Sequence, residues 1–163
     1  MIIVPLEHKH WARVQQIYQE GIDTNQGTFE TQAPEWEEWD HDHLKVCRFV
    51  AMENNLVIGW VALSRVSSRP VYKGVAEVSI YIALDHIRKG VGKALLSHLI
   101  KESENSGFWT LQASIFEENP ASISLHQKFG FRRMGVREKI AQQHGIWRDT
   151  VIYERRSKRD IFG

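Results

Sequence analysis

The sequence predicts a single mixed α/β domain built on one sheet. Segments with the two-residue apolar alternation of strands interleave with segments of helical spacing, in the irregular order β-α-α-β-β-β-α-β-α-β-β. No repeat, low-complexity block or Pro/Gly/Ser-rich linker interrupts the 163 residues, a length that suits one domain with a full core. The regular alternation of a dinucleotide-binding array is missing. The domain is expected to span 1–156, leaving 157–163 as a basic, solvated tail.

Ile2–Leu6 reads as a first strand. His10–Glu20 sets Trp11, Val14, Ile17 and Tyr18 at helical spacing, and Gly21 is a suitable stop. Thr24–Thr31 reads as a loop. Pro34 suits a helix start, with Glu35, Glu37 and Glu38 in or near a first turn that favours negative charge; Trp36, Trp39 and His43 share one face. Phe49–Met52 and Leu56–Val66 flank Glu53-Asn54-Asn55, which is hairpin chemistry. Val75–Leu84 is the next strand and Val91–Ser103 a long helix. Trp109–Phe116 alternates Leu111, Ala113 and Ile115 with polar neighbours. Asn119-Pro120 starts a helix with Asn as N-cap and Pro at the first position, and Gly130 ends it. Phe131–Val136 and Thr150–Arg155 supply two closing strands.

A net charge of +1 gives no general attraction to nucleic acid or anionic membrane, and no apolar run has the length of a membrane span. Cys47 is the only cysteine, so no intrachain disulfide forms, and it reads as a buried, inert thiol in a strand-like segment. With no basic, apolar leader at Met1–Glu7, the expected compartment is the cytoplasm. His8 and His10, and His41 and His43, form two H-x-H pairs without a nearby cysteine; they read as surface histidines, and no metal is expected.

The most informative stretch runs from Glu77 to Leu96. A β-branched strand enters a short basic turn, Arg88-Lys89-Gly90-Val91-Gly92-Lys93, which opens directly onto a helix. Successive N–H groups at such a helix start suit a phosphate. A dinucleotide fingerprint needs a third glycine and a distant acid, and a Walker loop needs G-x-x-x-x-G-K-S/T; neither is present. A pyrophosphate held by backbone N–H groups, with Arg88, Lys89 and Lys93 adding charge, remains.

Downstream, Asn119-Pro120-Ala121-Ser122 and Leu125-His126, closing on Gly130-Phe131, resemble the N-x-x-A/S-x-x-L/F-Y/H-x-x-x-G-F signature of the GNAT superfamily of acetyl-CoA-dependent N-acetyltransferases. Within it the chain is similar to the phosphinothricin N-acetyltransferase group. Gly27-Thr28-Phe29-Glu30-Thr31, Arg69-Pro70-Val71-Tyr72 followed by Ala76–Ile82, and Trp147-Arg148-Asp149 carry that likeness. The first position of the superfamily's Q/R-x-x-G-x-G/A motif is Ile87 here, with Arg88 next to it, and His126 stands where many members have tyrosine.

The resemblance implies the GNAT acyl-CoA N-acyltransferase fold, acetyl-CoA as co-substrate, a small amine as acceptor and a homodimer. It implies that the backbone of Ser79, Ile80, Tyr81 and Ile82 pairs with the pantetheine arm, that a donor at Ser79 or Ile80 polarises the thioester carbonyl, and that Asn119 and Ser122 lie against the cofactor. Glu77 is the candidate base, acting directly or through water, and His126 the candidate acid. Phe29, Glu30, Trp36, Arg69 and Tyr72 are candidate acceptor contacts, with Arg69 able to fork onto a carboxylate or phosphinate. The α-amine of phosphinothricin or of methionine sulfoximine or sulfone is the implied acceptor. Two alternatives stay open: the same fold acting on a protein N-terminus, polyamine or aminoglycoside, for which the acids of the second helix speak, and a non-catalytic CoA-binding module.

Overall fold

The computed structural model describes residues 1–163, and it explains why Leu56–Arg65 is apolar almost throughout: helices cover both faces of that strand. In chain order the elements are β1 (Ile2–Pro5), α1 (Trp11–Asp23), α2 (Trp36–Asp42), β2 (Phe49–Glu53), β3 (Leu56–Arg65), β4 (Val75–Ile82), α3 (Val91–Asn105), β5 (Thr110–Phe116), α4 (Pro120–Lys128), β6 (Arg132–Gln143) and β7 (Ile146–Arg156). The strands form one seven-stranded sheet in the order β1-β2-β3-β4-β5-β7-β6. Every neighbouring pair is antiparallel except β4 and β5. The order of elements is the one the sequence predicts.

On one face, Trp11, Val14 and Ile17 of α1 and Trp39 of α2 pack on Val50, Val57, Trp60 and Ala62. On the other, Leu95, Leu96 and Leu99 of α3 cover Ile58, Val61, Leu63, Leu111 and Tyr153. Asn54 and Asn55 take φ of 51° and 63° at the β2–β3 turn, the left-handed backbone that asparagine tolerates.

Four expectations are corrected. Gly21 does not stop α1, which continues to Asp23. Its missing side chain instead admits the Tyr81 ring, since a Cβ there would lie 2.4 Å from Tyr81 Cδ1. The two closing strands are much longer than predicted and meet at His144-Gly145, where both residues have positive φ. Residues 157–163 dock rather than float: Ser157 is buried, Ser157 Oγ donates to Glu104 Oε2 at 2.8 Å, and Arg159 Nε meets the same carboxylate at 2.9 Å. His10 is buried, its Nδ1 accepting the Glu7 N–H at 3.0 Å, and His43 stacks on Trp39 at 4.3 Å.

Cys47 is buried beside Ser106 of the turn after α3, and burial pushes its thiol pKa up. No helix is long and apolar enough to cross a membrane.

Gly21→Ala tests the packing of Tyr81. Helix propensity alone would favour alanine by about 0.8–1.0 kcal/mol, whereas the overlap with the ring predicts a net loss of about 1–3 kcal/mol. Urea unfolding reads this as a lower midpoint at an unchanged slope; a raised midpoint would contradict the packing argument.

Candidate active site

β4 pairs with β3 over seven residues, from Ala76↔Arg65 to Ile82↔Gly59. Its parallel pairing with β5 covers only Val75↔Thr110, Ala76↔Leu111 and Glu77↔Gln112. Beyond Glu77 the two strands part. Backbone groups alternate sides along a strand. Ala83 N donates to Ile58 O at 2.9 Å and Thr110 N donates to Gly74 O at 3.1 Å, so odd-numbered residues of β4 face β3 and even-numbered ones face β5. The first unpaired N–H groups turned into the gap are therefore those of Ile80 and Ile82. Of Ser79 and Ile80, only Ile80 turns its N–H into the gap.

The gap opens into a cavity of about 380 Å³. Glu77, Ser79, Ile80 and Tyr81 line it from β4; Asn119, Ser122 and His126 line it from α4 and its cap; and Phe29 lines it from the α1–α2 loop. His126 is buried, and its Nδ1 lies 2.7 Å from Ser122 O. A carbonyl oxygen only accepts, so Nδ1 carries the proton. Nε2 is then a lone pair, and it is buried with no partner. Burial also holds the ring pKa below the ordinary histidine value, which keeps it neutral. Tyr81 stacks between Tyr18 at 4.8 Å and Trp60 at 5.1 Å, and burial pushes its phenol pKa well up.

Asn119, together with residues that sequence reasoning missed, holds the roof. Asn119 Oδ1 accepts from Ser122 N at 3.2 Å, the predicted cap, while its Nδ2 donates to Gln26 O at 3.1 Å. Gln143 Nε2 donates to Thr28 O at 2.9 Å. Arg148 lies 3.8 Å over the Phe116 ring and donates to Glu118 at 3.0 Å and to Asn25 O. The loop Asn25–Phe29 is thereby fastened to α4 and to the β6–β7 hairpin. The signal for the hairpin was His144-Gly145, a pair suited to a left-handed turn.

At the far end of β4, Arg88 and Gly90 take φ of 62° and 83° before α3. Gly90 has no side-chain cap, α3 has no acid in its first turn, and nothing lies within 4 Å of a Cβ built at Gly90. The free N–H groups of Val91, Gly92 and Lys93, with exposed Arg88, Lys89 and Lys93 beside them, fit a pyrophosphate. The orphaned Nε2 and the unpaired donors of β4 fit the acyl end of the same thioester.

The remaining predicted acceptor residues are not gathered here. Glu30 lines a neighbouring cavity of about 450 Å³ with Glu35, Glu38 and Asp42. Trp36 sits in an aromatic cluster, 5.7 Å from Trp11 and 5.9 Å from Trp39. Arg69 and Tyr72 lie on an exposed turn, 5.6 Å apart, and line neither cavity.

A sheet that splits beside a glycine phosphate turn, with a polar cavity at the split, defines an acyl-CoA-dependent acyltransferase. Residues 11–131 match the Acetyltransferase (GNAT) family, and the chain belongs to it. It is similar to the phosphinothricin N-acetyltransferase of Alcaligenes faecalis, 32% identical over 85% of this chain and 74% of that one. It is 33% identical to the L-methionine sulfoximine/L-methionine sulfone acetyltransferase of Salmonella typhimurium, over 64% of this chain and 61% of that one. Among solved structures it resembles a GNAT superfamily phosphinothricin acetyltransferase from Sinorhizobium meliloti in complex with AcCoA. The TM-score is 0.87 at 28% identity, over 95% of this chain and 87% of that one.

Burial lowers the pKa of His10, His43 and His126 in the folded chain. Unfolded histidine binds its proton near pH 6.5, so the unfolded state takes up more protons as pH falls through that value. Stability is therefore present above about pH 6.5 and lost on acidification toward the folded pKa values. Thermal melts between about pH 7.5 and 5.5 should show Tm falling, with a shallower fall in His126→Gln; an identical slope would remove His126 from the buried neutral set.

Proposed function

We propose that this acetyltransferase transfers acetyl from acetyl-CoA to the α-amine of a small amino-acid analogue of the phosphinothricin or methionine sulfoximine/sulfone kind. The observation that carries this reading is the roofed cavity of about 380 Å³ at the β4–β5 fork, where backbone donors, a carboxylate and a neutral imidazole converge. An enclosure of that size suits a small acceptor better than a peptide chain. The names of relatives supply the analogue class, phosphinothricin from two that match most of this chain and methionine sulfoximine/sulfone from one that matches 64% of it.

Acetyl-CoA, when bound, supplies an activated acyl group. The glycine turn from Arg88 to Lys93 holds its pyrophosphate, the edge of β4 from Ser79 to Ile82 aligns its pantetheine arm as an added strand, and Asn119 and Ser122 bound that arm. The Ile80 N–H donates to the thioester carbonyl oxygen, where one preorganised donor supplies about 2.7–4 kcal/mol. An acceptor ammonium sheds two protons in becoming an amide; one reaches the thiolate and one reaches solvent. Glu77, directly or through water, carries the solvent-bound proton. The unpartnered Nε2 of His126 receives the other and returns it to the sulfur, so His126 is base before it is acid. Cys47 is buried beside Ser106 and does not line the cavity, so no acyl-cysteine relay is available and the amine attacks directly. Phe29 walls the acceptor.

A homodimer in a reducing cytoplasm completes the proposal. The β6 edge of the sheet is unpaired, and Ile146 and Trp147 at the hairpin tip are 68% and 55% exposed, a surface suited to a second copy.

The neighbouring cavity supports a second reading. Glu30, Glu35, Glu38 and Asp42 line it without a lysine or arginine, which favours a cationic acceptor such as a polyamine. Thiol-release assays with acetyl-CoA separate the two. Phosphinothricin or methionine sulfone should turn over, and Glu77→Gln and His126→Gln should each lower kcat by about 10²–10⁴-fold. Turnover confined to polyamines would overturn the first reading.

A further inference from the structure

Arg137 is the only lysine or arginine that lines the cavity at the fork. Sequence reasoning gave it no role. Unlike its neighbours it is unpaired: Arg133 meets Glu117 at 3.3 Å and Arg148 meets Glu118 at 3.0 Å, whereas Arg137 has no carboxylate within 4.0 Å and no side-chain hydrogen bond. A free guanidinium, with five donors in a planar fork, is shaped for two oxygens of one anion.

Its position is built rather than incidental. β6 takes four residue steps from Arg137 to Ala141 where β7 takes two, from Thr150 to Arg148. This bulge is pinned by Asp149, whose Oδ1 accepts the Lys139 N–H at 2.7 Å, and Lys139 holds a φ of 45°. Bulges re-aim side chains beside active sites. Here Arg137, Ile140 and Ala141, from both ends of the bulge, all line the cavity. Across the sheet Arg137 lies in the row of Thr150 and Phe116, at the open end of the fork, while Glu77 lies in the row of Gln112 at its closed end. One cavity thus carries a carboxylate at one end and an unpaired guanidinium at the other. That arrangement complements a zwitterion, its ammonium toward the carboxylate and its acid group toward the guanidinium.

We propose that Arg137 binds the acid group of the acceptor and makes the enzyme selective for amines that carry a carboxylate or other oxyacid. This rests on the reading of the cavity as an acceptor site for small amino-acid analogues. Arg137 does not line the acidic neighbouring cavity, and the two linings share only Tyr18.

The test measures kcat/KM for paired acceptors, each a free acid and its neutral carboxamide, using wild type, Arg137→Gln and Arg137→Lys. Methionine sulfone and its carboxamide are one pair, and methionine sulfoximine and its carboxamide another. Wild type should prefer the acid, and Arg137→Gln should cut that preference by about tenfold or more through KM for the acceptor, as expected for a lost hydrogen-bonded charge. Arg137→Lys should fall between. KM for acetyl-CoA and the thermal midpoint should be unchanged, because the side chain is exposed and unpartnered. Acid preference that survives in Arg137→Gln overturns the role of Arg137 and leaves the amino-acid reading standing. Absence of acid preference in wild type overturns both.

Discussion

Parallel pairing between β4 and β5 lasts for three residue pairs, and the candidate active site is organised around the place where it ends. Each strand is committed elsewhere. β4 is held to β3 over seven pairs and pinned by Tyr81, which is wedged between Tyr18 and Trp60 over the bare surface of Gly21. β5 is held to β7 over seven pairs. At the closed end, Gly74 lets Trp109 seat against the backbone, since a Cβ there would lie 2.1 Å from the indole. Two half-sheets therefore diverge from a short hinge of shared hydrogen bonds. Unpaired backbone groups are costly when buried dry, so a gap of this kind persists only where water or a ligand can reach it.

Function follows from what the divergence exposes. In the proposed reaction the N–H that it frees at Ile80 faces the developing oxyanion, with Glu77 at the apex. The divergence also gives α4 room to present the lone pair of His126. The tautomer of that ring is dictated by one contact, Nδ1 to Ser122 O, within a helix that Asn119 both caps and ties to the roof loop. A single asparagine thus couples helix stability, ring placement and closure of the cavity. The β6–β7 hairpin completes the enclosure from the other half-sheet, through Gln143 and Arg148 on one side and the bulge that carries Arg137 on the other.

Where structure is local, the sequence discloses it. The Asn119-Pro120 cap, the Gly90 turn and the Asn54-Asn55 hairpin are set by neighbours within a few residues, and all form as expected. The helix through Gly21 did not read correctly, because the reason for that glycine is Tyr81, sixty residues away. β6 was truncated because its bulges destroy the alternation that marks a strand. Of the candidate site, Glu77, Ile80, Phe29, Asn119, Ser122 and His126 were legible and line one cavity. Arg69 and Tyr72 carried the expected anion contact, yet the exposed turn after β3 leaves them outside it. Arg137, Gln143 and Arg148 were invisible, since nothing nearby in sequence says that a hairpin folds over the fork.

The claim that the fork supplies free backbone donors to the acyl donor can be read residue by residue. Amide hydrogen exchange followed by NMR, without and with CoA, reports each N–H of β4 separately. The account predicts fast exchange at Ile80 and Ile82 that slows when CoA is added, beside Ser79 and Tyr81 that are protected throughout by β3. Equal protection of all four without CoA, or no slowing at Ile80 and Ile82 when CoA is bound, would contradict it.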